Sequence, residues 1–143
     1  RLWGMMWGAE DLATSLGARE NAANGVYHET FRLARQLCLA GAAAAGVIAI
    51  DSICASLDDI SLVEKEAFEA RRDGFGAKAV IHPKHIAAVN HAFTPTVDEI
   101  RWANAVLAAF AEAGDAGVVR LDGKMLDKPH EKAARKLLDA IRP

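Results

Sequence analysis

Residues 2–12 read LWGMMWGAEDL, and this stretch decides the fold class of the chain. The first six of these residues are apolar throughout and have no helical period, which is typical of a strand buried on both faces. Two carboxylates, Glu10 and Asp11, follow at once. A short buried strand with polar residues just behind it predicts a parallel α/β sheet that carries its chemistry at the carboxyl ends of the strands.

Two further short apolar runs follow, each with a polar residue after it: residues 47–50 precede Asp51, and residues 77–81 precede His82. Amphipathic helices are predicted between the runs, over residues 28–45 and from residue 58 or 59 to residue 72. This alternation of strands and helices predicts parallel βαβ units. A TIM barrel takes about 250 residues. We therefore expect an α/β fold that contains only the last three or so βα units of a (β/α)8 barrel.

The last third of the chain has a different pattern. Residues 84–92 predict a short helix, and residues 96–99 (TVDE) have the form of a capping box that begins a longer one. Asp122-Gly123 between two short apolar runs is a strong hairpin signal. A last helix is expected over residues 130–141, with Ala133, Leu137 and Ile141 on its apolar side. The predicted domains are residues 1–93, the C-terminal part of a TIM barrel, and residues 94–143, a helix–hairpin–helix extension.

Charge, hydropathy and cysteine content argue against several classes of protein. The 143 residues include 17 basic and 19 acidic ones, so a net charge of −2 gives no reason to expect binding to nucleic acid or to an anionic membrane. No apolar run is long enough to cross a bilayer, and no signal peptide is recognisable. Two cysteines, Cys38 and Cys54, in apolar surroundings favour a reducing, cytoplasmic compartment. The start at Arg1 without Met predicts a truncated or fragmentary chain.

Five groups of motifs stand in order along the chain: GAEDL at 8–12 with LGA at 16–18; Ala34-Arg35 with AID at 49–51; GFGAK at 74–78 with IHP at 81–83; AFTP at 92–95; and LDGKMLDKPH at 121–130. Together they resemble the β subunit of citrate lyase, in the HpcH/HpaI aldolase and citrate lyase superfamily. That superfamily includes malyl-CoA and citramalyl-CoA lyases. The likeness covers almost the whole chain. It departs after Asp51, where Ser52-Ile53-Cys54 replaces a usual Gly-Val-Tyr.

The resemblance implies a Mg²⁺-dependent lyase that splits a citryl, malyl or citramalyl thioester into an α-keto acid and an acetyl thioester. The substrate would be carried by CoA or by an acyl carrier protein, and the enzyme would be a homo-oligomer, a trimer or a hexamer. The family's metal-binding Glu and a substrate-binding Arg would lie upstream, so this chain alone is expected to be inactive. The alternative is a non-catalytic fragment or an assembly subunit that lacks the upstream half of the site.

The resemblance also implies roles for two carboxylates. Asp11 would be a Mg²⁺ ligand, since hard cations bind carboxylate oxygens; its position alone suits a helix N-cap. Asp127 would be the general acid/base and would act in a neighbouring subunit's site, nearer to that subunit's Asp11 than to its own. Its alternative is to cap the last helix, with Pro129 in the first turn.

Two further residues are candidates for binding the thioester. Arg35 would meet phosphates of CoA or of an acyl-carrier arm, or would simply lie on a helix surface. Asp51 would hold backbone amides at the CoA-binding edge, or would cap the next turn. His82 before Pro83 is expected to fix the turn after the last strand. His82, His85 and His91 fit no standard zinc pattern.

Overall fold

The structure, a computed structural model, describes residues 2–141 and divides them into two compact units with the boundary between Phe93 and Thr94. The outermost residues of the two predicted domains, Arg1, Arg142 and Pro143, lie outside the described residues. The first unit contains β1 (Gly4–Met6), α1 (Ala9–Leu16), β2 (Ala22–Ala23), β3 (Val26–Tyr27), α2 (Glu29–Ala45), β4 (Ile48–Asp51), α3 (Ile60–Asp73), β5 (Ala77–Lys78) and α4 (His85–Phe93).

The first unit is built on a three-stranded parallel sheet with the order β1-β4-β5. Met5 is opposite Ala49, and Ile50 is opposite Ala77. The prediction of three parallel neighbouring strands is confirmed. The third strand is shorter than predicted, because β4 ends at Asp51. The Ala79 N–H still bonds the Asp51 carbonyl at 3.0 Å, but no strand of the described chain continues the ladder beyond it.

Only one face of this sheet is covered within the described residues. Alternate side chains of the strands point to opposite faces, and Trp7 and Ala49 pack with Phe31, Ala42 and Phe75 in a buried cluster. On the other face, Met6 is 59% exposed and Ile48 is 38% exposed. The expectation of strands buried on both faces is therefore wrong for the first unit, because none of its described residues forms a second layer on that face. A second cluster joins α3 to α4.

The helix boundaries follow from local signals. Gly46, with φ of 66°, ends α2 in the left-handed conformation that glycine adopts without strain. The Asp59 carboxylate accepts the Leu62 N–H at 3.0 Å and caps α3, so the second of the two predicted caps is the one used. The loop after α1, which the sequence suggested was irregular, contains the β2–β3 hairpin. Asn24 and Gly25, with φ of 51° and 75°, form its turn.

The second unit contains α5 (Val97–Ala113), β6 (Val118–Leu121), β7 (Lys124–Asp127) and α6 (Lys128–Asp139). The predicted capping box at Thr96 and Glu99 and the hairpin at Asp122-Gly123 are both confirmed. The predicted apolar stripe of α6 is wrong at Ala133, which is exposed, and at Ile141, which is 42% exposed and lies beyond the end of the helix at Asp139. Ala134 is buried instead, with Leu137 and Leu138 packed beside it. Successive helical residues differ by about 100°, so contact with α5 centres the buried face one residue later. Within residues 2–141, no helix is long and apolar enough to span a bilayer.

Candidate functional site

The carboxyl end of β1 leads into α1, whose first turn carries Asp11. Gly8 is the N-cap residue of α1, so the alternative in which Asp11 caps this helix is wrong. A Cβ atom built on Gly8 would lie 2.7 Å from Asp11 Oδ2, far inside van der Waals contact. The carboxylate of Asp11 therefore folds back over the backbone of Gly8. This close approach explains why a glycine precedes the acidic pair of this motif.

The Asp11 carboxylate is exposed and has no hydrogen-bond partner among residues 2–141, although its backbone carbonyl accepts the Ser15 hydroxyl at 2.9 Å. A small cavity of about 80 Å³ lies beside it, bounded by Trp7, Ser52 and Ala79. In the described part of the chain, no group of three or more His, Cys, Asp or Glu side chains converges on one point. One carboxylate is nevertheless a fitting contribution to a Mg²⁺ site, because this ion keeps waters and substrate oxygens as its other ligands.

The carboxylate of Asp51, at the end of β4, is in the opposite situation. Oδ1 accepts the Trp7 Nε1–H at 2.6 Å and the Arg35 Nε–H at 3.0 Å, and Oδ2 accepts an Nη2–H of Arg35 at 3.1 Å. Asp51 is 4% exposed. Its observed partners are thus two side chains, rather than the backbone amides that either sequence interpretation required. Sequence reasoning missed Trp7 as a hydrogen-bond partner of Asp51.

The guanidinium of Arg35 bridges two carboxylates. Besides Asp51 it donates from Nη1 to Asp73 Oδ2 at 2.7 Å, and it lies 4.5 Å from the centre of the Phe75 ring. Burial by itself lowers the pKa of Arg35, but the hydrogen bonds to Asp51 and Asp73 outweigh burial and raise it overall. Three of five N–H donors are engaged by these contacts. Arg35 is therefore a half-buried link between α2, β4 and α3, with donors left for a ligand.

A cleft of about 840 Å³ opens beside this network, within the first unit. Both Arg35 and Asp51 line it, together with Tyr27 and Glu66. Burial, and then the nearby carboxylates of Glu66 and Asp51, raise the pKa of the Tyr27 phenol above its ordinary value, so it is protonated at neutral pH, as a tyrosine normally is. The cleft thus presents a neutral hydroxyl and a paired arginine.

In the second unit, Asp127 is the N-cap residue of α6, and Pro129 lies in the first turn. Asp127 Oδ1 is 2.5 Å from His130 Nδ1, and both side chains are 46% exposed. The capping position that we gave as the alternative is thus the one Asp127 occupies, while a catalytic role stays a prediction. His130 is a partner that sequence reasoning missed. The sequence signal for this contact was the i, i+3 spacing of Asp127 and His130 at the start of a predicted helix.

The three histidines have different hydrogen-bond partners, although the ring centres of His82 and His85 lie 6.1 Å apart. His82 Nδ1 accepts the Lys84 N–H at 3.1 Å and so stabilises the turn after β5. His85 is buried, with Nε2 3.3 Å from the Leu57 carbonyl, and His91 Nδ1 lies 2.7 Å from Glu64. Each ring is thus accounted for by a local contact.

A family model described as a C–C bond lyase of the TIM-barrel fold matches residues 3–142. The chain belongs to this family. The citrate lyase subunit beta-like protein of Mycobacterium tuberculosis is 36% identical over 127 residues, which are 88% of this chain and 46% of the relative. The mitochondrial citramalyl-CoA lyase of Rattus norvegicus is 35% identical, with coverage of 94% and 39%. The (3S)-malyl-CoA thioesterase of Cereibacter sphaeroides is 36% identical, with coverage of 96% and 48%.

A solved structure agrees with these relatives. The crystal structure of CitE from M. tuberculosis, in complex with magnesium, acetoacetate and coenzyme A, has a TM-score of 0.81 and 33% identity; the match covers 94% of this chain and 50% of that one. The citrate lyase resemblance and the partial TIM-barrel fold are both confirmed. The chain spans less than half the length of the curated relatives it matches. These relatives include acyl-CoA lyases and thioesterases.

Proposed function

We propose that the complete protein to which this chain belongs is a Mg²⁺-dependent lyase that cleaves the carbon–carbon bond of a β-hydroxy acyl thioester. The observation that carries this proposal is the Asp11 carboxylate. It stands at the carboxyl end of a parallel strand, is exposed and accepts no hydrogen bond from residues 2–141. A carboxylate placed in this way is available to a cation. The relatives named as lyases and the relative solved with magnesium and coenzyme A support the same reaction class.

In this proposal Asp11 would hold the metal ion, and the remaining ligands would come from outside this chain. When bound, Mg²⁺ supplies Lewis-acid stabilisation of the oxygens of the acid half of the substrate. Gly8 leaves the space that the carboxylate occupies, since any larger residue would displace it. Arg35 lines the cleft, and two of its five N–H donors have no acceptor among residues 2–141; we propose that they bind the anionic part of the thioester carrier. Asp51 holds that arginine in place.

The proton that completes the reaction is assigned to Asp127. As the carbon–carbon bond breaks, the hydroxyl group loses its proton and becomes the carbonyl of the α-keto acid, and the other half is left as a thioester enolate. The terminal carbon of the enolate then gains one proton to become the methyl group of the acetyl thioester, so no net proton is consumed. We propose that Asp127 delivers this proton and that it acts in the site of a neighbouring subunit in a trimer or hexamer. His130, 2.5 Å from Asp127 Oδ1, would hold the carboxyl group in one orientation.

Mixing two inactive variants of the complete protein tests the shared site. Asp11→Ala and Asp127→Ala are each expected to be inactive as pure oligomers. After subunit exchange, some sites would receive both intact residues, so activity should return to a measurable fraction of the wild-type value. Exchange must be verified with differently labelled subunits. No recovery despite proven exchange would place Asp127 in the site of its own chain, or outside the chemistry.

A product assay tests the reaction itself. The complete protein is incubated with citryl-, malyl- and citramalyl-CoA, with MgCl₂ or with EDTA, and the keto acid and the CoA species are quantified. The lyase proposal predicts an α-keto acid and an acetyl thioester in equal amounts, only with Mg²⁺. Free CoA with the intact hydroxy acid would indicate thioester hydrolysis instead. No turnover of any of the three by the complete protein would favour the non-catalytic alternative.

A further inference from the structure

The first turn of α1, which carries Asp11, lacks a local cap. The leading N–H groups of any helix have no partner inside the helix, and they are usually met by an N-cap side chain. The N-cap residue here is Gly8, which has none. The Ala9 N–H donates instead to Ser52 Oγ, at 3.2 Å, across 43 residues of sequence. Helix α1 is thus capped by the residue that follows β4.

A second contact, made by Lys78, holds the backbone of Ser52 in place. Its backbone carbonyl accepts a hydrogen bond from Lys78 Nζ at 2.8 Å. The Lys78 side chain is 2% exposed, and Glu66 Oε2 lies 3.0 Å from its ammonium group. Burying an ammonium is costly unless it is paired and hydrogen-bonded. The buried Lys78 ammonium group is paired with Glu66 and donates to the Ser52 carbonyl. These contacts therefore fix the position of the Ser52 backbone.

These contacts form one continuous relay: Glu66 to Lys78, Lys78 to the Ser52 carbonyl, and the Ser52 hydroxyl to the Ala9 amide. The amide lies two residues before Asp11, in the same turn of α1. Ser52 and Asp11 also border the same small cavity. The ends of β4 and β5 thus determine where the first turn of α1 stands, and with it the carboxylate.

We propose that Ser52 is a positioning residue for the metal ion held by Asp11, with Lys78 fixing Ser52 in turn. This inference rests on the proposed function, since it assigns Ser52 a role toward that metal. Groups that orient a metal ligand without touching the metal typically account for about 10–100-fold in metal affinity. Ser52 acts through a backbone amide two residues away, so we expect the lower end of that range.

The test uses the complete protein and three substitutions. Ser52→Ala removes the hydroxyl and should weaken Mg²⁺ binding about tenfold in calorimetric titration with MgCl₂. Ser52→Thr keeps a hydroxyl and should restore most of the affinity. Ser56→Ala is the matched control, because Ser56 Oγ accepts the Asp59 N–H at the same distance of 3.2 Å but in the exposed loop before α3. Its Mg²⁺ affinity should equal that of wild type.

Hydrogen exchange of the Ala9 amide is a second measurement. If Ser52 had only a structural role, Mg²⁺ would not change this exchange. The Ala9 amide should exchange faster in Ser52→Ala than in wild type, and Mg²⁺ should slow its exchange in wild type. The wild-type arm keeps the inference testable if Ser52→Ala does not fold. Faster exchange in Ser52→Ala at unchanged Mg²⁺ affinity, or no effect of Mg²⁺ on the wild-type amide, would overturn the inference.

Asp11→Ala separates this inference from the proposed function. If Asp11→Ala loses Mg²⁺ binding while Ser52→Ala keeps it, Ser52 is a helix cap only and the proposed function stands. If Asp11→Ala binds Mg²⁺ as tightly as wild type, the proposed function fails, and the positioning role of Ser52 fails with it.

Discussion

The ends of β1 and β4 differ in what surrounds their aspartates. Asp11, beyond β1, is exposed and has no hydrogen-bond partner in residues 2–141. Asp51, the last residue of β4, is buried, and its two oxygens accept three hydrogen bonds. A buried carboxylate has to be paired, because desolvation of an unpaired charge is costly. An exposed carboxylate remains in contact with water and does not need such a partner.

The position of an aspartate after a strand therefore does not by itself define its role. Both residues stand at the carboxyl end of a parallel strand, and both belong to motifs that resemble one family. The pairing of Asp51 with Trp7 and Arg35 joins β1, β4 and α2, so its first effect is on the stability of the sheet unit. The Asp11 carboxylate accepts no hydrogen bond from residues 2–141, so its substitution should affect chemistry rather than folding.

The largest expected effect is the loss of Mg²⁺-dependent activity in Asp11→Asn. The amide keeps the size of the side chain but removes the charge that binds a hard cation. We expect turnover by the complete protein to fall at least about 100-fold, which is the upper range for residues that only support a metal ligand. The free energy of unfolding should not change. Glu10→Gln is the control, since Glu10 is the neighbouring exposed carboxylate and pairs with Asn21; undiminished activity in Asp11→Asn would reduce Asp11 to a surface residue.

Asp51→Ala should have the second largest effect, and the effect should be on stability. It leaves the Trp7 indole N–H and part of the Arg35 guanidinium without an acceptor in a buried setting. Breaking one side of a buried ion pair typically costs about 3–5 kcal/mol, and urea denaturation measures this loss. Asp58→Ala, at a 90% exposed carboxylate paired with Lys84, should show no measurable change. Unchanged stability with a higher KM for the thioester would instead support the predicted binding role of Asp51.

The sequence was sufficient to predict the parallel sheet, the ends of α2 and α3, the capping box at Thr96 and the hairpin at Asp122. These features depend on local signals such as apolar runs, caps and a two-residue turn. The Asn24-Gly25 hairpin carried an equally local signal and was missed because each of its strands is only two residues long, too short to show an alternating pattern. The buried face of α6 was misplaced because contact with α5, rather than periodicity within α6, determines it.

The candidate site was predictable only in part. The order of the motifs brought Asp11 and Asp51 to one end of the sheet, but their partners come from distant residues. Trp7 is 44 positions from Asp51, and Ser52 is 43 positions from Ala9. No period or spacing in a single sequence reports such contacts. Sequence reasoning therefore located the carboxylates and missed what distinguishes them.

Arg35→Lys should have a smaller effect on stability than Asp51→Ala. One ammonium cannot reproduce the fork that reaches both Asp51 and Asp73. The loss of these hydrogen bonds should lower the free energy of unfolding by about 1–3 kcal/mol. Arg32→Lys is the matched control one turn earlier on α2, at a side chain that is 51% exposed. Because we also propose that Arg35 binds the thioester carrier, its KM should rise as well; a change in stability without a change in KM would leave Arg35 a purely structural link.

The smallest expected effect is a dependence of stability on pH that involves Asp73, the outer carboxylate of the same network. Burial alone raises the pKa of Asp73, but hydrogen bonds from Arg35 and Arg72 outweigh it and lower the pKa below the ordinary value of an aspartate. A carboxylate with a lowered pKa in the folded state stabilises the protein above its unfolded pKa. That stabilisation is lost as the pH falls through the folded value.

Asp73→Asn removes this pH-dependent contribution. At pH 7 the variant should be less stable than wild type by at most about 1 kcal/mol, because the side chain of Asp73 is 31% exposed and its ion pairs are partly screened by solvent. The difference should stay constant from pH 7 to about pH 5 and shrink below about pH 4, where Asp73 becomes protonated in the unfolded chain. Urea denaturation of both proteins at pH 7, 5, 4 and 3 measures it. A difference that widened as the pH fell would contradict the lowered pKa. In that case Arg35 would be paired in solution with Asp51 on β4, and its contact with Asp73 on α3 would contribute little.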